Sequence, residues 1–227
     1  MSTLQDIQTT LENTYGWRKF RFGLPFEKLT ATDTYDNLPE DLRDNWVWRY
    51  LIASVIVSGS NEFRMQRICS ELFRKYPTPS TLAVVDPHQL TRLFLKHRLE
   101  YASVKASRIR VICQKVVENN NRVWSTKEEL IQLEGVGEHI AEVILATCYG
   151  QTHYFAIDIH VKVIAKRWGI PIRQLKKLPF ASGQFSRNFV DFGQQICGRQ
   201  PKCDACMISH LCSRLQKEQA HELLFNN

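Results

Sequence analysis

The chain has 227 residues, 44% hydrophobic and 23% charged, the proportions of an ordinary globular protein large enough for one large domain or two small ones sharing a groove. No apolar run reaches ~18 residues, so no transmembrane helix and no membrane partner are expected. Asp6, Glu12 and Arg18 lie among polar residues at the start, which fits neither a signal nor a transit peptide, and an intracellular protein is expected. A formal charge of +7 suits a polyanionic partner without demanding one. Seven cysteines without a secretory signal point to metal or cluster binding rather than a disulfide framework.

Taken in chain order, the hydrophobic spacing is helical and strand-like alternation is rare. Residues 20–45 are the least regular part. An apolar helix carrying Leu51, Ile52, Val55 and Ile56 runs from Leu42 to the Ser58-Gly59-Ser60 break. A second spans Glu62 to Tyr76 and stops at Pro77 and Pro79. Asp86-Pro87 opens a third, with Leu90, Leu93 and Phe94 on one face. The next runs from Ala102 to Asn119 with Ile109, Ile112 and Val116 as its buried stripe. A short helix from Lys127 to Leu133 leads into Glu134-Gly135-Val136-Gly137. Helices then follow at Glu138–Cys148, His160–Trp168 and Ser182–Cys197. The class is all-α.

Three features carry chemistry. The first is the Gly-Val-Gly corner between two helices. Without a Cβ, Gly135 and Gly137 are free to take positive φ and turn their N–H groups outward beside a helix N-terminus. A phosphate fits such a place, and a plain αα-corner is the alternative. A Walker A loop is excluded, because no Gly-Lys-Ser/Thr follows. The second feature is Cys197, Cys203, Cys206 and Cys212, spaced C-x5-C-x2-C-x5-C. Four thiolates this close can converge on a tetrahedral zinc or on a [4Fe–4S] cluster. Arg199, Lys202, His210 and Arg214 intersperse them, either as a phosphate-contacting surface or as a solvated charged loop. Cys69, Cys113 and Cys148 fall on apolar helix faces and are expected in the core. The third is Asp158 in "FAIDIHVKVIAKRWGI", which by itself is an ordinary helix cap.

The order of these features resembles the helix-hairpin-helix DNA glycosylase superfamily, in particular its endonuclease III and adenine glycosylase branch. The resemblance runs from about Trp46 to Cys212. It implies two helical domains flanking a DNA-binding groove. One would be a helical block over 42–145 ending in the hairpin. The other would combine 1–41 with 146–227 and carry the iron–sulfur loop, 197–212. Gly135, Val136 and Gly137 would hold a phosphate of double-stranded DNA, Asp158 would be the catalytic carboxylate, and the four cysteines would bind [4Fe–4S], with zinc as the lesser alternative. A monomer is expected, in the cytoplasm or nucleoid if the source is prokaryotic.

Departures from the family set the finer expectations. Endonuclease III-like proteins carry a lysine two residues after Gly-Val-Gly, which attacks C1′ and forms a Schiff base; this chain has His139. Imidazole forms no stable iminium, so a water-based, monofunctional glycosylase is expected, acting on a damaged, modified or mismatched base with a pyrimidine favoured. His139 would bond the flipped base, orient water or contact phosphate. A bifunctional lyase using Lys105 or Lys162, and a non-catalytic DNA-binding protein, are the alternatives. The gap left by a flipped base would be filled from Ser58 to Glu62, where Ser60 replaces the family's glutamine and Asn61 is at hand, or by the loop at Leu99-Glu100-Tyr101. The glutamate with which adenine-removing relatives protonate the purine is replaced by Ser54, which argues against adenine removal. The first two cysteines are separated by five residues where the family usually has six, so a tighter loop is expected.

Overall fold

A computed structural model of the protein describes residues 2–15, 38–57, 62–151, 153–177 and 183–212. Among these residues there are helices and no strand. The chain divides into two compact units, Met1–Arg18 with Gln151–Asn227, and Lys19–Gly150. The continuous unit thus begins and ends outside the block 42–145 drawn from the sequence.

The continuous unit holds α2 (Glu40–Val57), α3 (Glu62–Lys75), α4 (Pro79–Ala83), α5 (Pro87–Lys96), α6 (Ala102–Glu118), α7 (Lys127–Leu130) and α8 (Glu138–Cys148). α2 packs against α3, α6 and α8, and α6 receives α4 and α5. Burial explains why α2 shows no polar face: Trp46, Val47, Trp48, Tyr50, Leu51, Ile52 and Ile56 are all enclosed. Cys69, Cys113 and Cys148 are buried as expected.

The other unit holds α1 (Ser2–Tyr15), α9 (Ile159–Trp168), α10 (Ile172–Leu175) and α11 (Gly183–Gln195). α1 and α9 both pack on α11. Their core joins Ile7, Leu11 and Tyr15 to Val161, Ile164 and Trp168 and to Phe185, Phe189 and Phe192. Phe155 meets Phe189 edge-on and Phe185 at a tilt.

Three helices escaped the sequence reading. α1 carries four Thr, a residue of modest helix propensity, and only its Ile7-Leu11-Tyr15 stripe marks it. α4 begins where Pro79 was expected to end the preceding helix. Proline at a first helical position loses no bond, and Thr78 with Thr81 closes a capping box. α10 is a single turn after Pro171. In the other direction, the expected helix from Lys127 to Leu133 is helical only to Leu130 and continues as turns. Among the described residues, no helix is long and apolar enough to cross a membrane.

Candidate functional site

The glycine turn is held from beneath. Leu130, Leu133 and Val136 are buried, and the Val136 N–H donates to the Leu133 carbonyl at 2.9 Å. The Val136 side chain therefore faces the core, and its N–H is spent within the turn. Lys127 joins the two helices of the hairpin: its Nζ donates to Glu142 Oε1 at 2.9 Å and to Glu138 Oε2 at 3.3 Å. Glu142 is buried, and the hydrogen bond to it is the main cause that raises Lys127 above the ordinary lysine value.

Both glycines are free to take positive φ, and only one of them does. Gly135 has φ +89, and a Cβ there would come within 2.8 Å of Arg108 Cδ. Gly137 has φ −87 and ψ 177, extended backbone that any residue adopts, and a Cβ there would meet nothing within 4 Å. Gly135 is thus required by the fold. Gly137 is the N-cap of α8 and places no side chain over the helix end. First-turn N–H groups have no acceptor within their own helix, so this open end suits an oxygen anion. His139 is exposed in the same first turn. Arg108 Nε donates to Glu134 Oε1 at 3.1 Å, which sets a guanidinium against the turn from α6. The sequence distance of 26 residues hid this neighbour.

Asp158 has the cap geometry, with Oδ1 accepting from the Val161 N–H at 2.8 Å. Its Oδ2 has no hydrogen bond among the described residues. The carboxylate is half-buried, so capping and catalysis are compatible: the cap fixes the group and leaves one oxygen available. The segment leading to it is fastened by the Ser186 hydroxyl, which donates to the Ala156 carbonyl at 2.5 Å. α9 lies close to α11 at Gly193, where a Cβ would stand 2.7 Å from that of His160. Ile159, beside the aspartate, is 67% exposed, an apolar side chain the sequence did not single out.

Cys197, Cys203, Cys206 and Cys212 line one cavity together with Trp168, Phe192 and Ile208. Two short 3₁₀ turns, Cys203–Ala205 and Ser209–Leu211, present the last three. Among the described residues, no three Cys, His, Asp or Glu side chains are placed to grip a single metal ion. A cavity walled by four soft sulfur donors fits an iron–sulfur group. Burial pushes the Cys197 and Cys206 thiols above the ordinary cysteine value, and bound iron would displace their protons. Just after the first cysteine the backbone packs closely: a Cβ on Gly198 would lie 2.9 Å from the Gly193 carbonyl oxygen. Arg199, Lys202 and His210 are exposed, and Arg214 lies outside the described residues.

Ser60 and Asn61 also lie outside the described residues. The second gap-filling candidate is resolved in detail. Leu99 is buried, while Tyr101 is 75% exposed with φ +56. A left-handed non-glycine residue costs ~1–2 kcal/mol, and here it turns an aromatic ring outward at the start of α6. Ser54 is buried and bonds the Tyr50 carbonyl of its own helix. Lys105 is buried too; its Nζ donates to the Ile56 carbonyl at 2.8 Å, and burial lowers it from the ordinary lysine value. Lys162 is exposed.

Residues 53–180 match the HhH-GPD superfamily of base excision DNA repair proteins. Endonuclease III of Synechocystis sp. is 30% identical over 178 residues, covering 73% of this chain and 80% of that protein. A thymine-DNA glycosylase of Aeropyrum pernix is 26% identical over 182 residues, covering 73% and 81%. The fold is that of a solved endonuclease III in a non-covalent DNA complex, with a TM-score of 0.73 at 20% identity over 96% of this chain and 98% of that one. The chain belongs to the HhH-GPD superfamily, in its endonuclease III branch. As an enzyme it is a DNA glycosylase of the base excision repair type.

Proposed function

We propose that the protein is a monofunctional glycosylase that hydrolyses the N-glycosidic bond of a damaged, modified or mismatched base in double-stranded DNA, with a pyrimidine favoured, and that it works as a monomer. The observation that carries this reading is the Asp158 carboxylate, oriented through Oδ1 by the Val161 N–H and left with a second oxygen for the substrate. Cleavage gives the sugar oxocarbenium character. A fixed carboxylate beside C1′ stabilises that charge and orients or deprotonates the attacking water. The base must leave the stack first, and Tyr101 is the exposed side chain in its loop suited to occupy a base step. Of the turn's backbone N–H groups, those of Gly135 and Gly137 would hold a phosphate, with Arg108 beside them, since the Val136 N–H is already given to the Leu133 carbonyl.

His139 in place of the family's lysine favours water over a covalent route. The lyase alternative also loses Lys105, whose ammonium is buried against the end of α2. The four cysteines would hold a [4Fe–4S] cluster, which when bound supplies a structural staple and a local charge centre. A likeness to a thymine-DNA glycosylase agrees with a mismatched or modified pyrimidine as substrate.

The test is a set of duplexes each carrying one lesion or mismatch, treated with protein and then alkali. Wild type should release one class of base and give no borohydride-trapped adduct. Asp158→Asn keeps a capping oxygen and should fold and bind DNA, yet lose roughly 10² to 10³ in rate, about 3–4 kcal/mol. Equal rates for the two proteins would remove Asp158 from the chemistry. A trapped adduct with wild type would overturn the water-based mechanism.

A further inference from the structure

Arg167, near the end of α9, reaches the cysteine loop 30 residues further along. Its Nη1 donates to the Cys197 carbonyl at 2.6 Å and also to Cys197 Sγ at 3.3 Å. Its Nη2 donates to the Arg199 carbonyl at 3.1 Å. The same side chain lines the cavity into which all four cysteines open. The two carbonyl bonds alone would make Arg167 a tether for the backbone that follows α11. The bond to sulfur goes further, because it aims a charged donor at a ligand atom.

The surroundings raise the weight of that charge. Arg167 and Lys202 are the charged residues lining the cavity, and the remaining lining is thiol, Trp168, Phe192, Ile196, Ile208 and Pro201. Lys202 is exposed, whereas Arg167 is half-buried against the loop. Charges act more strongly where water is excluded. A guanidinium also supplies several donors in one rigid plane, which a lysine cannot copy.

We propose that Arg167 is a positioning residue for the iron–sulfur cluster, fixing the Cys197 ligand and raising the cluster's reduction potential through its N–H···S bond and its charge. The proposal rests on the cluster assignment above. Reduction adds one negative charge to a group already ligated by four thiolates. A nearby cation stabilises the more negative state, so its removal lowers the potential.

The experiment compares full-length wild type with Arg167→Lys and Arg167→Gln. Iron and sulfide content, circular dichroism, a redox titration and the rate of bleaching by ferricyanide are measured. The lysine variant keeps the charge and loses the planar set of donors; the glutamine variant keeps a donor and loses the charge. Both should fold and retain iron. At a fixed ambient potential, the oxidised-to-reduced ratio should rise about tenfold in Arg167→Gln, equivalent to ~59 mV for one electron, and less in Arg167→Lys. Bleaching should accelerate in the order wild type, lysine, glutamine. An unmoved potential in an iron-loaded Arg167→Gln would overturn the proposal and leave the cluster assignment standing. Wild-type protein carrying zinc instead of iron would overturn both.

Discussion

Leu130, Leu133 and Val136 bury the underside of the glycine turn, and the Lys127–Glu142 ion pair bolts its two helices together. The cysteine loop has little of this. Between residues 198 and 212, among the described side chains, Ile208 is the one fully buried. Its internal hydrogen bonds are tight turns, such as Cys206 N–H to the Cys203 carbonyl at 3.1 Å and Cys212 N–H to the Ser209 carbonyl at 3.1 Å. Both segments are short irregular corners beside a helix. The first is stabilised by the protein's own apolar and charged groups. The second has four thiols where a core would be, and on the proposed cluster assignment its stability would come largely from the bound group.

The largest effect that tests this contrast should follow from Cys203→Ser or from stripping the metal. Limited proteolysis should then cut within 197–212, while fragments spanning α3 to α8 stay protected. Equal protection of the loop with and without metal would erase the distinction between the two corners.

Breaking the other corner should leave the metal alone. Glu142→Ala removes the buried partner and leaves Lys127 with Glu138 alone, which should cost about 2–3 kcal/mol in denaturant unfolding, with iron content unchanged. Gly135→Ala should cost less, about 1–2 kcal/mol, because it strains a left-handed residue and pushes on Arg108. Gly137→Ala separates fold from binding. Nothing in the protein opposes its methyl group, so stability should fall by no more than ~1 kcal/mol, the preference for glycine over alanine at an N-cap. DNA affinity should fall at every salt concentration, because the methyl group would stand over the proposed anion site. Normal DNA binding by this variant would return the turn to a plain αα-corner.

The smallest effect concerns pH. The folded state raises Lys127 above its ordinary value of 10.5. Its contribution is therefore complete below that value and lost as pH rises through the higher folded one. Unfolding followed between neutral and strongly alkaline pH should show this loss in wild type, and a smaller one in Glu142→Ala.

Much of the fold was legible because burial imposes a period. The stripe Ile109, Ile112 and Val116 marked α6, and the Asp86-Pro87 pair marked the start of α5, whose cap now shows Asp86 Oδ1 accepting from the His88 N–H at 2.9 Å. α4 was misjudged because proline both ends and begins helices, and only the Thr78–Thr81 box decides between them.

What the sequence determined by itself is chemical identity at fixed spacing: four sulfurs within a short loop, a carboxylate ahead of a helix, two glycines at a corner, and a histidine in place of a lysine. These depend on residue type and on near neighbours, and a linear string preserves both. The tertiary structure alone decided which glycine the backbone needs, that Leu99 turns inward while Tyr101 turns out, and that Lys105 caps α2. It also brought Arg108 to the glycine turn and Arg167 to Cys197. Those pairings cross 26 and 30 residues. They arise where helices pack side by side, and no local period encodes which long side chain will meet which distant partner.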